Sequence, residues 1–427
     1  MESFDINTLR IAAPYIYAHQ GNTFVISLPI EVITSDALSS LIQDLALMQT
    51  LGIKLIIVFG TGLFSSHKPG VINHHKMRKL QHLVGQLQIQ LESLFSIGLV
   101  NTPMAGMKLT TVSGNFVVAK PIGIVQGVDQ QYRGEVRRIE TVAIRQQLEI
   151  NNIVLLSSLG YSPSGECFYI DEFQLAADVA ASMPSEKLIF LSQEKTLLDS
   201  RKQRLKFLNL NDADKLLKRR KSLSATMRTY LELAVQVCLS QVQRVHVLSC
   251  TTPGVLLQEL FSHAGAGTLI TNNHYDDIRS ASINDVGGIQ SLIKPLEDEG
   301  ILLARSSEQI ERDLDRYVVI ERDGFVIACG ALIPYQEQHC AELACIAVHR
   351  EFQHEGHGTL LMGFLENKAR KLEMQKVFVL TTRALHWFYE NGYKKSQLKA
   401  IPVHRQQACT MKRNSTVLVK LLQSKQS

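Results

Sequence analysis

Gln353-His354-Glu355-Gly356-His357-Gly358 is the stretch on which the reading of this chain turns. It follows an apolar run, 341–348 (AELACIAV), that reads as a strand, and precedes 359–372, which reads as a helix. A loop from strand into helix turns backbone N–H groups toward the helix N-terminus, where the helix dipole also favours an anion such as a pyrophosphate. The glycines at 356 and 358 let a ligand approach the backbone closely, and a side chain at either position would block it. Taken alone, the loop has a plainer reading as an ordinary turn, because many strand-to-helix turns contain glycine.

Helical segments at 283–299 and 307–314 come before the loop, and then a hairpin at 317–328 whose Asp323-Gly324 is a strong turn signal between two apolar runs. Beyond helix 359–372, a strand at 376–380 and a helix at 385–390 are expected. The first two-thirds of the chain has another grammar. Strands are expected at 24–28, 54–59 (KLIIVF), 153–156, 187–191 and 244–248, and a helix over 35–51 is closed by Gly52. Continuous apolar strands separated by helices imply parallel pairing with right-handed crossovers, hence an open α/β sheet covered on both faces. A β-rich insertion is expected at 110–119, and the polar, aperiodic 271–277 is the expected linker. Two domains follow, 1–272 and 278–427, as 427 residues exceed one ordinary core.

Composition narrows the function classes. A formal net charge of +5 is small for this length, and charges of both signs are interspersed. The densest basic run, 215–221 (KLLKRRK), reads as a solvated helix face rather than a nucleic-acid patch, since no aromatic residues interleave it. Seven cysteines stand singly, with no CxxC pair and no metal-ligand spacing against the fourteen histidines, so no metal is expected and a reducing compartment is. Acidic Glu2 and Asp5 precede any apolar run, and no stretch approaches the ~18 apolar residues of a membrane span. A cytoplasmic protein is expected.

The C-terminal part resembles the GNAT N-acetyltransferase family, whose pattern after its fourth strand is Gln/Arg-x-x-Gly-x-Gly/Ala; Gln353, Gly356 and Gly358 stand at those positions. The resemblance implies acetyl-CoA as cosubstrate and a strand 341–348 that splays from its neighbour. It also implies backbone amides along Cys345, Ile346, Ala347 and Val348 that meet the acetyl carbonyl and pantetheine. Cys345 as a nucleophile forming an acetyl-enzyme is the alternative to the family's usual direct attack by the substrate amine. More closely, 283–427 resembles the acetyltransferase domain of the bacterial N-acetylglutamate synthase family, and about 8–270 resembles its amino-acid-kinase domain. The matching segments include 278–285 (IRSASIND), 300–306 (GILLARS), 341–349 (AELACIAVH), 378–382 (FVLTT), 386–388 (HWF) and 413–415 (RNS). In the N-terminal part they are 127–129 (GVD), 137–139 (RRI), 257–262 (LQELFS) and 265–268 (GAGT), so nearly the whole chain is covered.

That resemblance implies roles. Arg305 and Arg413 match the ligands of the glutamate carboxylates, and Leu303 and Ser415 complete their pocket. A guanidinium fork suits bidentate carboxylate recognition. Glu342 matches the base that takes a proton from the substrate amine, through water, and Thr381 stands where a serine or threonine can hold that water. Outside such a context, a glutamate on a strand or an arginine near the C-terminus is usually a surface residue. L-Arginine is implied as an effector bound by an N-terminal helix carrying Tyr15 and by Glu259, Phe261 and Gly267, with Glu259 meeting the guanidinium. The plainer alternative there is a packed helix end with a glycine cap. A homo-hexamer is implied by family analogy alone.

Three departures matter. Kinase relatives carry a glycine pair for phosphate after the first strand, where this chain has Leu28-Pro29-Ile30-Glu31, and proline has no N–H to donate. After Phe59 stands Gly60-Thr61-Gly62-Leu63-Phe64-Ser65 in place of the Gly-Ala-Arg-Pro-Gln common there. Both argue against ATP chemistry, which suits the non-catalytic, arginine-sensing domain that the resemblance implies. Ala304 replaces a second basic residue before Arg305, which bears on the choice of acceptor. The expected architecture is therefore an open, mostly parallel sheet of amino-acid-kinase type followed by an α/β GNAT domain. The expected activity is acetylation of the α-amine of L-glutamate, the opening of arginine biosynthesis. Its rivals are acetylation of another amine and a catalytically dead arginine-binding scaffold.

Overall fold

The computed structural model describes residues 6–62, 70–97, 109–194, 196–198, 203–218, 223–240, 242–262, 265–272, 277–322, 324–403, 405–406 and 415–422. The chain divides into two compact units at residue 273.

The N-terminal unit is built on an eight-stranded sheet. Its order is Phe207–Asn209, Thr268–Thr271, Arg244–Ser249, Ser185–Ser192, Thr23–Leu28, Lys54–Phe59, Ile153–Ser157, Thr111–Ser113. Every neighbouring pair is parallel except Arg244–Ser249 with Thr268–Thr271. The central strands are apolar throughout because alternate residues serve opposite covered faces. Val25, Ile56, Val58 and Phe190 pack with helices Glu172–Ser182 and Ala225–Cys238, whereas Phe24, Ile26, Ile57 and Phe59 pack with Leu38–Thr50 and His74–Ile97.

The structure corrects several sequence expectations. The insertion expected at 110–119 is split, because Ser113-Gly114-Asn115 breaks the extended run. Thr111–Ser113 is an edge strand of the main sheet, and only Val117–Pro121 enters a separate four-stranded sheet with Gly134–Ile139, Leu159–Tyr161 and Cys167–Tyr169. The helix expected from 35 begins at Leu38, after a single helical turn at Ile30–Ile33. Of the expected linker, Thr271 ends one strand, Asp277 begins another, and 273–276 lie outside the described residues. The basic run starts on helix Leu210–Lys218, where Lys215 pairs with Asp212 at 2.8 Å; residues 219–221 lie outside the described set.

At the C-terminal ends of the first two strands, where α/β sheets hold ligands, this unit is filled by its own side chains. Pro29 caps the turn Ile30–Ile33. Fully buried Glu172 lies so close to Gly60 that a Cβ there would stand 2.3 Å from the carboxyl carbon. Glu172 accepts hydrogen bonds from the Gly62 N–H (3.1 Å) and the Tyr169 hydroxyl (2.8 Å), and Thr61 donates to Tyr169 at 3.1 Å.

The C-terminal unit has a seven-stranded sheet. Its order is Asp277–Ser280, Tyr317–Arg322, Phe325–Tyr335, Cys340–Val348, Lys376–Thr381, Thr416–Leu421, Lys394–Lys395. The single parallel pairing joins Cys340–Val348 to Lys376–Thr381; the other neighbours are antiparallel. Helix His357–Lys371 covers one face through Leu361, Met362 and Leu365, and helix Val286–Asp298 covers the other through Val286, Ile289 and Ile293. The expected helices, hairpin and strands of this unit are present. Thr416–Leu421, inserted beside Lys376–Thr381, is a strand the sequence reading missed. Among the described residues no helix is long and apolar enough to cross a membrane.

Burial, and then the neighbouring Asp171, push the Glu172 carboxyl up to about 7. A carboxyl raised in the folded state favours folding fully below its unfolded value, and that contribution is lost as pH rises through the folded value. Glu172→Gln cannot ionise, so the variant should gain on wild type by roughly a few °C in unfolding midpoint between pH 5 and pH 8. Parallel thermal melts at the two pH values check this, and an unchanged difference would mean that Glu172 does not titrate there.

Candidate active site

The site begins with one irregularity in strand Cys340–Val348. Its ladder with Lys376–Thr381 runs only from Cys340 to Glu342, so residues 343–348 have left that neighbour. On the other side the register with Phe325–Tyr335 slips between Cys329 and Ala331, and Cys345 takes a left-handed φ of 55°. A bulge of this kind switches the faces of a strand. Ala341 and Leu343 accordingly pack on the helix His357–Lys371 side, while Cys345 and Ala347 pack on the helix Val286–Asp298 side. An unbroken strand would have put all four on one face.

The parted strands open into a cleft of about 710 Å³. It brings together nearly every position singled out in this domain: Leu303, Arg305, Glu342, Cys345, Ile346, Ala347, Val348, Gln353, Gly356, Gly358, Thr381 and Ser415 all line it. Arg413 lies outside the described residues. The expected parting of the strand is present, and its freed edge supplies the run 343–348.

The loop 353–358 is held from both ends. The Gln353 side chain donates to the carbonyl of Val348 at 3.2 Å, and Gly356 caps helix His357–Lys371 with φ 89°. The two glycines work differently. A Cβ at Gly356 would meet no protein atom within 4 Å, so its constraint is the backbone angle and the space left for a ligand. A Cβ at Gly358 would stand 3.0 Å from the Trp387 ring, so there the protein itself needs glycine. These features suit acetyl-CoA: a helix N-terminus bordered by glycine for phosphate, and an open strand edge for the pantetheine amides.

Glu342 is the last residue before the strands part, and only 3% of its side chain is exposed. Its Oε1 is ion-paired with Arg405, and its Oε2 accepts from the Tyr335 hydroxyl at 3.3 Å. Thr381 donates its hydroxyl hydrogen to the carbonyl of Arg383 and accepts from the Arg383 N–H at 3.2 Å. Arg305 is anchored by its N–H to Glu297 (2.9 Å), and Leu303 beside it is exposed. Cys345 is buried; a hydrogen bond from the Cys329 thiol draws its own thiol below the ordinary value, against the effect of burial. Arg405, Arg383, Tyr335 and Trp387 were not assigned roles from the sequence. An arginine four residues beyond Ile401, outside any regular strand, carries no local pattern that would mark it.

The N-terminal unit brings the four positions expected to bind arginine to one corner. Tyr15 and Gly267 are buried, Phe261 is partly so, and the Glu259 side chain is 6% exposed. His19, on the same helix as Tyr15, bonds the Leu260 carbonyl at 3.0 Å and packs at a tilt against Phe261, with ring centres 5.8 Å apart. Glu259 pairs with His246 at 2.6 Å and accepts from the N–H groups of Ala266 and Gly267. Although burial opposes it, His246 and then these amides hold the Glu259 carboxyl down at about 2. Gly267 admits no side chain, since a Cβ would lie 2.1 Å from Leu248.

Residues 22–249 match the amino acid kinase family and 289–393 match the acetyltransferase (GNAT) family. The amino-acid acetyltransferase of Yersinia pseudotuberculosis is 37% identical over 97% of this chain and 98% of its own length, and that of Yersinia pestis is equally similar. This chain belongs to the amino-acid acetyltransferase family. Among solved structures, N-acetylglutamate synthase from Neisseria gonorrhoeae complexed with coenzyme A and L-arginine is 31% identical, with a TM-score of 0.88 over 99% of this chain and 100% of that one. The same enzyme complexed with coenzyme A and N-acetyl-glutamate is 32% identical, with a TM-score of 0.61 over the same shares. The protein is an acyltransferase of GNAT fold that carries an amino-acid-kinase-like domain.

Replacing Gly356 by valine should leave the unit folded, at a strain cost of about 1–2 kcal/mol for the left-handed backbone. Acetyl-CoA affinity, read by calorimetry on the full chain, should fall at least ~10-fold, the equivalent of about 1.4 kcal/mol. Unchanged affinity would dissociate the loop from the cofactor.

Proposed function

We propose that this enzyme transfers the acetyl group of acetyl-CoA to the α-amine of L-glutamate, with L-arginine as its effector. The carrying observation is the convergence of Glu342, Arg305, Ser415, the freed strand edge and the glycine loop on one cleft. Acetyl-CoA supplies an activated thioester acyl group. The loop 353–358 holds its pyrophosphate, and the amides along 345–348 hold its pantetheine and acetyl carbonyl.

The acceptor's amine, with pKa near ~10, is mostly ammonium at neutral pH and must lose a proton before it can attack. Glu342 is the group that takes it, through water. The Thr381 oxygen keeps one lone pair for such a water after its bonds to Arg383. Arg305 and Arg413 grip the two carboxylates, and Leu303 and Ser415 close the pocket. Buried Cys345 serves through its backbone, and the amine attacks the thioester carbonyl directly: the N–C bond forms, the C–S bond breaks, and coenzyme A leaves as the thiolate, which takes up the second nitrogen proton.

The N-terminal unit serves as a sensor and not as a phosphotransferase. Pro29 and the Glu172 side chain occupy the ground that phosphate would need. Arginine binds where the helix carrying Tyr15 meets Phe261. Oε1 of Glu259 is already taken by His246 and Oε2 by the 266–267 amides, so this residue shapes the site, and a guanidinium would share one of those oxygens. A homo-hexamer in the cytoplasm is part of the same proposal; the six described cysteines are all free, as a reducing compartment would keep them.

Kinetics separate the roles. Arg305→Ala or Arg413→Ala should raise the glutamate KM and lower kcat/KM by about ten- to a hundred-fold, the scale of a charge-assisted pair of about 1.5–3 kcal/mol. Glu342→Gln should instead lower kcat by ~10²-fold or more. A thiol-release assay across a panel of amino acids identifies the acceptor, and a preference for another amine would replace glutamate. For the sensor, calorimetry of the full chain with L-arginine should give saturable binding, weakened about tenfold by Tyr15→Ala, which at about 1.4 kcal/mol is one contact's worth. No heat from either protein would remove arginine as effector.

A further inference from the structure

The turn that follows Ile401 presents Arg405 to the reaction cleft. Its backbone is fixed by the Arg405 and Gln406 N–H groups bonding the Pro402 carbonyl (2.9 and 3.1 Å) and by Lys376 donating to the carbonyl of Ala400 at 3.0 Å. From there Arg405 reaches into the cleft and ion-pairs with Oε1 of Glu342, with 22% of the arginine side chain and 3% of the glutamate side chain exposed. From the opposite strand Tyr335 donates to Oε2. Burial, and then the Glu342 carboxylate beside it, push the Tyr335 hydroxyl above its ordinary value, so it stays a donor. The other charged groups lining the cleft, Arg305 and Arg383, come from separate segments.

A buried ion pair is a poor device for stability, because the desolvation of both groups offsets most of their attraction. Its place at the one carboxylate where the strands part suggests another use. A carboxylate has about four lone-pair positions. One guanidinium on Oε1 and one phenol on Oε2 fix its plane and leave a position on each oxygen for an N–H or a water.

We propose that Arg405 is the positioning residue for Glu342: its guanidinium locks one carboxylate oxygen so that the other meets the proton leaving the acceptor amine. The proposal rests on Glu342 being the base. The proton passes from the ammonium nitrogen, through the intervening water, to the Glu342 carboxylate, and no bond to Arg405 forms or breaks. A carboxylate released from this hold swings off line, and a misplacement of about 1 Å can cost ~10²-fold in rate.

The test uses the full chain and steady-state kinetics in both substrates. Arg405→Ala should lower kcat by about ten- to a hundred-fold, with KM for glutamate and acetyl-CoA within about two- to threefold of wild type. Arg405→Lys should recover part of kcat, and sub-denaturing guanidinium chloride should restore activity to Arg405→Ala but not to Glu342→Gln. Acetyl-CoA calorimetry on each variant verifies the fold. If Glu342→Gln collapses kcat while Arg405→Ala keeps it and raises only the glutamate KM, Arg405 is a substrate ligand and the proposal falls while the base assignment stands. A kcat loss in Arg405→Ala that neither lysine nor guanidinium recovers also overturns it. If Glu342→Gln keeps wild-type kcat, the base assignment fails first, and the positioning role fails with it.

Discussion

The acetyltransferase unit depends on the point at which strand Cys340–Val348 leaves its parallel neighbour. Up to Glu342 the two strands share a ladder; beyond it the bulge at Cys345 turns the chain and exchanges which side chains face which helix. A continuous ladder would satisfy the backbone N–H groups of 343–348 internally and leave no wedge for a ligand. The departure frees one edge of 343–348 in a cleft walled largely by apolar residues. It also sets Glu342 at the apex, buried enough to need its partners Arg405 and Tyr335. Burial of the bulged strand on both faces, by two helices, is what makes the irregularity affordable.

The electrostatics of the cleft match the molecules it handles. Arg305, Arg383 and Arg405 reach it from three separate segments, and the N-terminus of helix His357–Lys371 adds its partial positive charge. Such a site favours an anionic acceptor and a phosphate-bearing cosubstrate over neutral amines. One carboxylate, Glu342, stands within this basic surround, and its ion pair with Arg405 keeps it from being a simple surface acid.

The N-terminal unit keeps its sheet while its own side chains fill the space at the C-terminal ends of its first two strands. The strands that would carry phosphate chemistry survive intact, yet Pro29 removes an N–H and Glu172 occupies the space over Gly60. The polar investment has moved to the corner where helices Ile6–His19 and Val255–Phe261 meet. There Glu259 joins His246 to the 266–267 amides.

The sequence by itself determined the two-part organisation, the order of strands and helices around 353–358, and twelve of the positions that line the cleft. These were legible because they rest on local patterns: apolar periodicity, glycines at a strand-to-helix turn, and runs long enough to resemble one family. It could not disclose the split of 110–119 between two sheets or the strand Thr416–Leu421, whose partners are distant in sequence. Nor could it disclose the face exchange at Cys345, which follows from register against Phe325–Tyr335 and not from alternation within the strand. Only the tertiary structure joined Arg405 to Glu342 across 63 residues and distinguished Gly358, pressed on Trp387, from Gly356, held by its φ. The physical reason is common to all of these: a contact energy between remote residues leaves no trace in the spacing of either one.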